Sequence, residues 1–463
     1  MSSRINQKNR TERAVTDGIQ EFPLGLGTTF APHSVCAGNH GKLWVTTTNT
    51  ATTGSGCVVG VKTLRPGELS PANHSHMPRL SAGIMKDPLG AAKVWFAAPA
   101  PPQQQDPIVS MLTTAGYPVT FYPLEPDAKA ESIALETTKK GGSGEPTYEY
   151  SLLFAEPVHK YVGVLPITQS GAGQVEKMVV EHNTWLWDVA VSTEADGKTH
   201  TYWVTGQANT TPARTDNGLY KRGPGERTWE RIILPGGATQ KPFYVKADTE
   251  AVWVTATNPN QVIRINLATG RSKERNLGTA VPQQLTFTPE GEVWVASSEG
   301  IHVFDGQMEE EGTIIRLPSG GKAKGICVGS DGNIWYTNPD KKTLGRYPTA
   351  IARLGAPTRL GRTQVVSHTE TVLHSKEHVD APLVAEYVAG GRPIPGIPLT
   401  CRIEAEGATF EDNTRERVIL TDQRGRVCLP PVYAGEFEEE ALLSVGLGDT
   451  EPHVATTLHV RPA

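Results

Sequence analysis

The hydrophobic pattern is most regular between residues 239 and 347, where three consecutive units share one design. Each unit contains three or four short runs of β-branched and aromatic residues separated by Gly, Asp, Asn and Pro, which is typical of short antiparallel strands. One run in each unit carries a tryptophan, and Trp253, Trp294 and Trp335 are spaced 41 residues apart. A repeat of this length with four strands per unit predicts the blade of a β-propeller.

Four less regular units precede these three. Trp44, Trp95 and Trp203 mark three of them, and Phe154 stands in the corresponding run of the remaining unit. One blade cannot bury both faces of its sheet, so neighbouring blades must stack around an axis. The sequence therefore predicts a seven-bladed β-propeller over residues 21–350.

The two ends of this segment predict how the ring closes. Glu21-Phe22-Pro23-Leu24 resembles the outermost strand of a blade, although it precedes the first inner strand. The last unit lacks an outer strand after Tyr347. We expect the N-terminal strand to complete the last blade, because this removes an open sheet edge.

The remaining segments complete the predicted organisation. Residues 1–20 are predicted to be disordered, and residues 351–372 are predicted to form a linker. Over residues 373–463, short alternating runs are separated by turns, which favours a small immunoglobulin-like β-sandwich. The predicted fold class is all-β, a seven-bladed β-propeller followed by an immunoglobulin-like β-sandwich.

Composition narrows the classes of function. Of the 463 residues, 20% are charged and 38% are hydrophobic, and the formal net charge is −5. No block of Lys and Arg suits nucleic acid, and no apolar run approaches the length of a membrane span. The polar N-terminus lacks a signal-peptide core, and the five cysteines are too scattered for a disulfide framework. These features predict a cytoplasmic protein that contacts neither nucleic acid nor membrane.

Long insertions follow the second strand of three predicted blades. They cover residues 48–56, 98–105 and 206–218. Loops at this position share one face of a propeller, so they would surround one mouth of the central channel. Binding residues favour loops on a rigid frame, although surface insertions are also tolerated without a function.

The tryptophan strands carry a family resemblance. Gly332-Asn333-Ile334-Trp335-Tyr336-Thr337, followed by Leu344-Gly345-Arg346, is similar to the repeat of the virginiamycin B (streptogramin) lyase family, as is Gly291-Glu292-Val293-Trp294. This resemblance implies seven blades and an elimination that opens a cyclic depsipeptide ester. It also implies a His base and Mg²⁺ near an E-P-H motif. Residues 395–425 resemble bacterial immunoglobulin-like modules of invasin type.

The resemblance transfers two catalytic candidates. His33, in Ala31-Pro32-His33-Ser34-Val35, matches a family histidine, and Glu156 matches the acid that ends the tryptophan strand. The other acids of the family pattern are replaced, and Ala31 stands where the E-P-H motif has its Glu. The metal ligands are therefore unknown, and Mg²⁺ is a possible cofactor only through the resemblance.

Five further residues at predicted inner-strand entries are candidate ligand contacts. Arg79 and Lys324 would make the mouth basic and suit an anionic or carbonyl-rich ligand, or they are solvated surface charges. Trp185, Tyr244 and Gln284 occupy entries of blades four, five and six, where aromatic residues either face a ligand or pack between blades.

Three hypotheses of function follow. The first is a ligand-binding or protein-binding propeller without the full lyase site. The second is an active Mg²⁺-dependent carbon–oxygen lyase that uses His33 and Glu156 on cyclic depsipeptides or related esters. The third is a structural protein that docks onto an assembly through its C-terminal sandwich. Whether the protein is an enzyme stays open at this stage.

Overall fold

A computed structural model provides the structure of the protein. It describes residues 19–25, 29–38, 42–49, 56–62, 75–77, 83–89, 93–97, 107–112, 119–126, 128–140, 147–168, 171–182, 184–208, 216–288, 291–309, 312–329 and 333–347, and eleven segments between 362 and 461. These residues form strands, turns and irregular connections, with no helix among them. Consequently, the described part of the chain contains no helix that could cross a membrane.

The chain is divided into two compact units. One comprises Met1–Val328 with Trp335–Arg346, and the other comprises Gly329–Ile334 with Tyr347–Ala463. The predictions for residues 1–18, for Arg79, for most of the linker (351–361) and for the loop segments 50–55, 98–106 and 209–215 fall outside the described residues.

The first unit contains twenty-nine described strands, which form seven sheets. In chain order they are β1 (Gln20–Pro23), β2 (Phe30–Ala37), β3 (Lys42–Asn49), β4 (Gly56–Lys62), β5 (Ser75–Met77), β6 (Ile84–Lys86), β7 (Lys93–Ala97), β8 (Pro107–Leu112), β9 (Val119–Pro123), β10 (Ile133–Lys140), β11 (Thr147–Glu156), β12 (Tyr161–Thr168), β13 (Gly171–Ala172), β14 (Glu176–Val179), β15 (Thr184–Thr193), β16 (His200–Ala208), β17 (Gly218–Arg222), β18 (Glu230–Ile232), β19 (Lys241–Ala247), β20 (Ala251–Thr257), β21 (Gln261–Asn266), β22 (Ser272–Asn276), β23 (Pro282–Phe287), β24 (Val293–Ser297), β25 (Gly300–Phe304), β26 (Thr313–Ile315), β27 (Ile326–Val328), β28 (Ile334–Asn338) and β29 (Thr343–Tyr347).

These sheets are the blades of a closed ring. Six follow chain order and pair antiparallel, as β2–β5, β6–β9, β10–β14, β15–β18, β19–β22 and β23–β26. The seventh has the order β1-β29-β28-β27. The first strands of successive blades are neighbours, and β27 is again a neighbour of β2. The described residues therefore form a seven-bladed β-propeller, which confirms the all-β, propeller part of the predicted fold class.

The seventh blade takes its outer strand from the N-terminal side of the chain. β1 pairs antiparallel with β29, with Gln20 opposite Arg346 and Pro23 opposite Thr343. The Glu21 carboxylate accepts hydrogen bonds from the Tyr336 hydroxyl (3.0 Å) and the Ser319 amide (3.1 Å). This strand thus joins the two ends of the ring through backbone and side-chain bonds.

The hydrophobic core lies in layers between neighbouring blades. Trp253 of blade five, for example, is fully buried with Leu285 and Val295 of blade six. Trp44, Trp95 and Trp335 are also fully buried, and Phe154 occupies the equivalent position of blade three. The period of 41 residues therefore reflects one aromatic residue buried between each pair of blades.

The second unit is also built from strands alone among its described residues. They are β30 (Arg362–His368), β31 (Val372–His374), β32 (His378–Val379), β33 (Leu383–Ala389), β34 (Arg392–Pro393), β35 (Pro398–Glu404), β36 (Ala408–Phe410), β37 (Glu416–Leu420), β38 (Arg426–Cys428), β39 (Val432–Ala434), β40 (Glu439–Gly446) and β41 (Val454–Arg461).

The C-terminal strands form three sheets. One has the order β31-β41-β40-β35-β37, another joins β30, β33, β34 and β38, and the third has the order β32-β39-β36. β31 pairs parallel with β41, and the other described pairs of this unit are antiparallel. The immunoglobulin-like assignment of this unit stays a prediction, which this strand order favours.

Candidate functional site

An axial cavity of about 240 Å³ lies where the seven inner strands meet. Every blade contributes lining residues from its first strand. The polar side chains in the lining are Ser34, Lys86, Ser132, Asp188, Tyr244, Lys246, Gln284 and Thr286, and Cys36 and Cys327 add two thiols. A concave site with several convergent polar groups is the expected form of a small-molecule site.

A recurring β-bulge directs side chains into this cavity. In four inner strands the register skips two residues, between Pro32 and Val35, Leu186 and Val189, Pro242 and Val245, and Pro282 and Leu285. A bulge re-aims the side chains that it contains. The second skipped residue of each pair lines the cavity, and these residues are Ser34, Asp188, Tyr244 and Gln284.

A threonine from the second strand holds the bulge in blades one, four and five. The hydroxyls of Thr46, Thr205 and Thr255 accept hydrogen bonds from the amides of Ser34 (3.1 Å), Asp188 (3.1 Å) and Tyr244 (3.2 Å), respectively. Each threonine lies two residues after the tryptophan of its blade. The repeat therefore positions the cavity lining as well as the core.

The threonine hydroxyls also link neighbouring blades. The Thr205 hydroxyl contacts the Phe243 carbonyl of blade five at 2.6 Å, and the Thr337 hydroxyl donates to the His33 carbonyl at 2.8 Å. In blade seven the Thr337 hydroxyl accepts a hydrogen bond from the Gly325 amide (2.7 Å), and a Cβ added at Gly325 would lie 2.5 Å from the His33 carbonyl oxygen. The glycine is thus required by the close approach of blades seven and one.

Asp188 is the buried acid of the cavity. Its carboxylate accepts hydrogen bonds from the Val189 amide (3.0 Å) and from the Val245 amide of the next blade (2.9 Å). Burial raises the pKa of this carboxyl to about 6, although Lys246 and these amides oppose the shift. Asp188 therefore changes its charge near neutral pH within a preorganised set of donors.

Tyr244, Gln284 and Cys36 of the cavity have defined protonation states or hydrogen bonds. Burial, followed by the charge of Asp188, raises the pKa of the Tyr244 phenol, so the hydroxyl stays protonated. The Gln284 amide donates to the Ser34 hydroxyl at 2.9 Å and thereby links blades six and one. Burial raises the pKa of the Cys36 thiol to about 12, which excludes a reactive thiolate at neutral pH.

The first of the two skipped residues in each bulge lies one position before the residue that lines the cavity. Trp187 and Phe243 are two such residues, and their ring centroids are 5.4 Å apart. The Trp187 indole N–H is buried and has no hydrogen-bond partner among the described residues. A buried donor without a partner is costly, and Trp187 is not among the residues that line the axial cavity.

His33 is the first skipped residue of the bulge in blade one. Its Nδ1 lies 3.1 Å from the Ser34 hydroxyl oxygen, and the imidazole is half-buried. Burial, with a smaller contribution from the Lys324 charge, lowers the pKa of His33 to about 3. The imidazole is therefore neutral at pH 7 and is a weak base. His33 itself is not among the residues that line the described cavity.

Glu156 is a buried residue at the end of β11. Its carboxylate is fully buried and accepts hydrogen bonds from the amides of Lys129 (2.8 Å), Val158 (3.0 Å) and His159 (2.5 Å). It therefore holds the entry of blade three and the turn between β11 and β12. Glu156 is absent from the cavity lining, so the structure does not bring it together with the channel as the resemblance had implied.

The five predicted ligand contacts have different surroundings. Tyr244 and Gln284 line the axial cavity. Lys324 lies beside His33, and burial lowers the pKa of its ammonium to about 8. Trp185 instead packs under the Lys129 ammonium, which lies 5.8 Å from its ring centroid. Arg79 lies outside the described residues.

The donor set of the described residues does not fit the Mg²⁺ that the resemblance implies. No three His, Cys, Asp or Glu side chains converge within the described ranges. Mg²⁺ prefers a near-octahedral set of oxygen ligands with one or two carboxylates. In the cavity, Asp188 has Lys246 as a charged neighbour rather than a second carboxylate. No step of a mechanism is therefore assigned to a metal.

Asp188 and Lys246 were not among the residues predicted from the sequence. A usable signal was present, because a threonine follows the marker tryptophan by two residues in blades one, four, five and seven. Those threonines mark three of the four blades with a described bulge, whereas blade six has Ala296 at this position. Together, the ring of seven sheets and the bulge residues define the class of protein, a seven-bladed β-propeller with a polar axial cavity.

Comparison with known proteins adds structural neighbours only. No family model and no curated protein matches the sequence. The extracellular domains of the hybrid two-component systems BT4673 and BT3049 from B. thetaiotaomicron are 13% and 10% identical, cover 97% and 96% of this chain, and have TM-scores of 0.48. The WD40 β-propeller domain of Doa1 is 10% identical and covers 71% of this chain and 96% of its own length, with a TM-score of 0.49.

The chain spans 60% and 57% of the lengths of the BT4673 and BT3049 domains. The predicted cytoplasmic location is wrong by this comparison, because the matched domains are extracellular. That prediction rested on a polar N-terminal segment and on few, scattered cysteines. Neither property determines the compartment of a protein.

Proposed function

We propose that the protein binds a small, hydroxyl-rich molecule in the axial cavity and lacks the elimination chemistry of the streptogramin lyases that it resembles. The observation that carries this proposal is the bulge ring, which presents Ser34, Asp188, Tyr244 and Gln284 to one cavity. Their hydroxyl, carboxyl and amide groups supply both donors and acceptors.

The size and chemistry of the cavity define the ligand class. A volume of about 240 Å³ suits a molecule of monosaccharide size and lies below the usual range for drug-sized ligands. Asp188 accepts hydrogen bonds from ligand hydroxyls, while Lys246 supplies a cation for a carboxylate or a ring oxygen. The Trp187 and Phe243 rings, 5.4 Å apart, offer an apolar surface at the strand entry.

The lyase alternative has weaker support. An elimination needs a base that takes a proton and a group that stabilises the developing negative charge. The pKa of His33, lowered to about 3, makes it a poor base at neutral pH. The carboxylate of Glu156 is already bonded to three backbone amides, so it is unavailable to a substrate.

The binding test uses isothermal titration of the full-length protein with D-glucose, D-galactose and D-glucuronate. We expect millimolar or tighter binding of at least one sugar, weakened at least tenfold by Asp188→Asn and severalfold by Tyr244→Phe. Glu274→Gln, an exposed carboxylate on β22, is the matched control and should bind as wild type does. No heat of binding with any of the three sugars at 50 mM would refute the proposed ligand class.

A second assay separates binding from lyase chemistry. The protein is incubated with Mg²⁺ and a type B streptogramin, and ring opening is followed by chromatographic retention and olefin absorbance. We expect no conversion. Conversion that a chelator and His33→Ala both abolish would replace the binding proposal with the lyase reading.

A further inference from the structure

A second and larger cavity lies between blades three and four. Its volume is about 1050 Å³, and it shares no lining residue with the axial cavity. It is bordered by β10, β11, β12 and β14 of blade three, by β16, and by the turn that follows β17. Neither the proposed function nor the family resemblance involves this groove.

Glu136 forms the floor of the groove. It lies on β10 opposite Ser151, and only 8% of its surface is exposed. Its Oε2 is buried and has no hydrogen-bond partner among the described residues, and no ion pair involving Glu136 is formed with them. The Tyr202 hydroxyl is hydrogen-bonded to this carboxylate, but a buried oxygen that lacks a partner is still unfavourable. Oε2 can therefore accept a donor from outside the fold.

Most other charged groups of the groove already have partners. The Glu149 carboxylate lies 2.9 Å from the Lys140 ammonium, and Lys177 is paired with Glu125. Glu226 accepts a hydrogen bond from the Gly223 amide at 2.6 Å. Glu136 is a buried carboxylate of this lining, and its Oε2 atom has no hydrogen-bond partner among the described residues.

The walls around Glu136 suit a planar cation with an aliphatic stem. Tyr150 and Tyr202 line the groove beside it, and Val164, Pro166 and Met178 add an apolar wall. Burial, and then the charge of Glu136 and a hydrogen bond with its carboxylate, raise the pKa of the Tyr202 phenol, so the two groups are in direct contact. A guanidinium binds carboxylates in a bidentate fork and stacks on aromatic rings, whereas an ammonium is a compact, strongly hydrated charge.

We propose that this groove binds a peptide segment through an arginine side chain that pairs with Glu136. A single guanidinium fills a small part of about 1050 Å³, so the remaining volume accommodates flanking residues of an extended chain. Charge complementarity at the floor and apolar contacts along the wall together define this partner.

The test uses two fluorescein-labelled hexapeptides, GSARAS and the same peptide with citrulline in place of arginine. Citrulline keeps the shape of arginine and removes its charge. Fluorescence polarisation with the full-length protein should show at least tenfold tighter binding of the arginine peptide. Glu136→Gln should weaken that binding at least tenfold, while Glu149→Gln, the matched exposed carboxylate of the same groove, should change it less than twofold.

Three results would overturn the proposal. They are no binding of the arginine peptide at 1 mM protein, equal binding of the arginine and citrulline peptides, and an equal loss from Glu149→Gln and Glu136→Gln. The Glu136→Gln change is isosteric, and thermal denaturation of each variant establishes that it is folded. Failure of this test leaves the axial cavity unaffected, because the two sites share no residue.

Discussion

The axial cavity and the groove between blades three and four each contain a buried carboxylate on an inner strand, but the two carboxylates are held differently. Asp188 accepts two backbone amides that the bulges place around it. The Oε2 atom of Glu136 has no such partner among the described residues. Backbone amides fix the position of Asp188 in its cavity, whereas the unpartnered oxygen of Glu136 can still accept a donor from outside the fold. Glu156, bonded to three amides, is held in the same way as Asp188.

The largest effect is expected at Glu156. Glu156→Ala leaves three backbone amides without an acceptor in a buried turn, so we expect the free energy of unfolding to fall by about 4 kcal/mol. Urea denaturation followed by tryptophan fluorescence measures this loss. A decrease below about 1 kcal/mol would mean that water or another group replaces the carboxylate.

A pH-dependent effect is expected at Asp188. Because its folded pKa of about 6 lies above the ordinary value of 3.8, its contribution to stability is fully present below pH 3.8 and is lost as the pH rises through 6. We expect wild type to lose about 2.5 kcal/mol relative to Asp188→Asn between pH 4 and 7.

This difference is measured by urea denaturation of both proteins across that pH range. His33, with a pKa lowered to about 3, changes stability in the opposite direction between pH 3 and 6.5. That contribution is common to wild type and variant, so it cancels in the difference. A difference that stays constant with pH would show that the carboxyl of Asp188 titrates normally.

A smaller effect is expected where the bulge is held. Thr205→Val keeps the shape of the side chain and removes the bonds to the Asp188 amide and the Phe243 carbonyl. We expect a loss of about 2 kcal/mol in unfolding free energy together with weaker sugar binding. Thr255→Val, which removes the bond to the Tyr244 amide, is the comparison and should cost about half as much. Equal binding by Thr205→Val and wild type would separate the bulge from ligand affinity.

The smallest effect on stability is expected at Glu136. Glu136→Gln removes a buried charge whose Oε2 has no hydrogen-bond partner among the described residues, so unfolding free energy should stay the same or rise by about 1 kcal/mol. Thermal denaturation at pH 7 tests this. A loss as large as that of Glu156→Ala would show that Glu136 is bonded within the fold and would contradict the contrast between the two regions.

The propeller was predictable because its determinants are local and repeated. Trp253, Trp294 and Trp335 recur at a fixed interval, since each fills the same space between two blades. The immunoglobulin-like module stays a prediction, because its strands carry no sequence repeat of this kind.

The site was only partly predictable. Tyr244 and Gln284 were found at strand entries, but Asp188 was not, because a bulge breaks the alternation from which the direction of a side chain is inferred. Glu156 matched a family position in sequence, yet three nearby amides give it a different role. The groove beside Glu136 depends on turns from two blades, which no single segment of sequence specifies.

The pairing of β1 with β29 also determines when the seventh blade can be completed during synthesis of the chain. Gln20 lies 326 residues before its partner Arg346, so at roughly 5–20 residues per second the ribosome needs roughly 20 to 60 seconds to make the second strand after the first. Throughout that interval the first strand has no edge to join. Chaperones that shield exposed strands would therefore act on this protein chiefly before its ring is sealed.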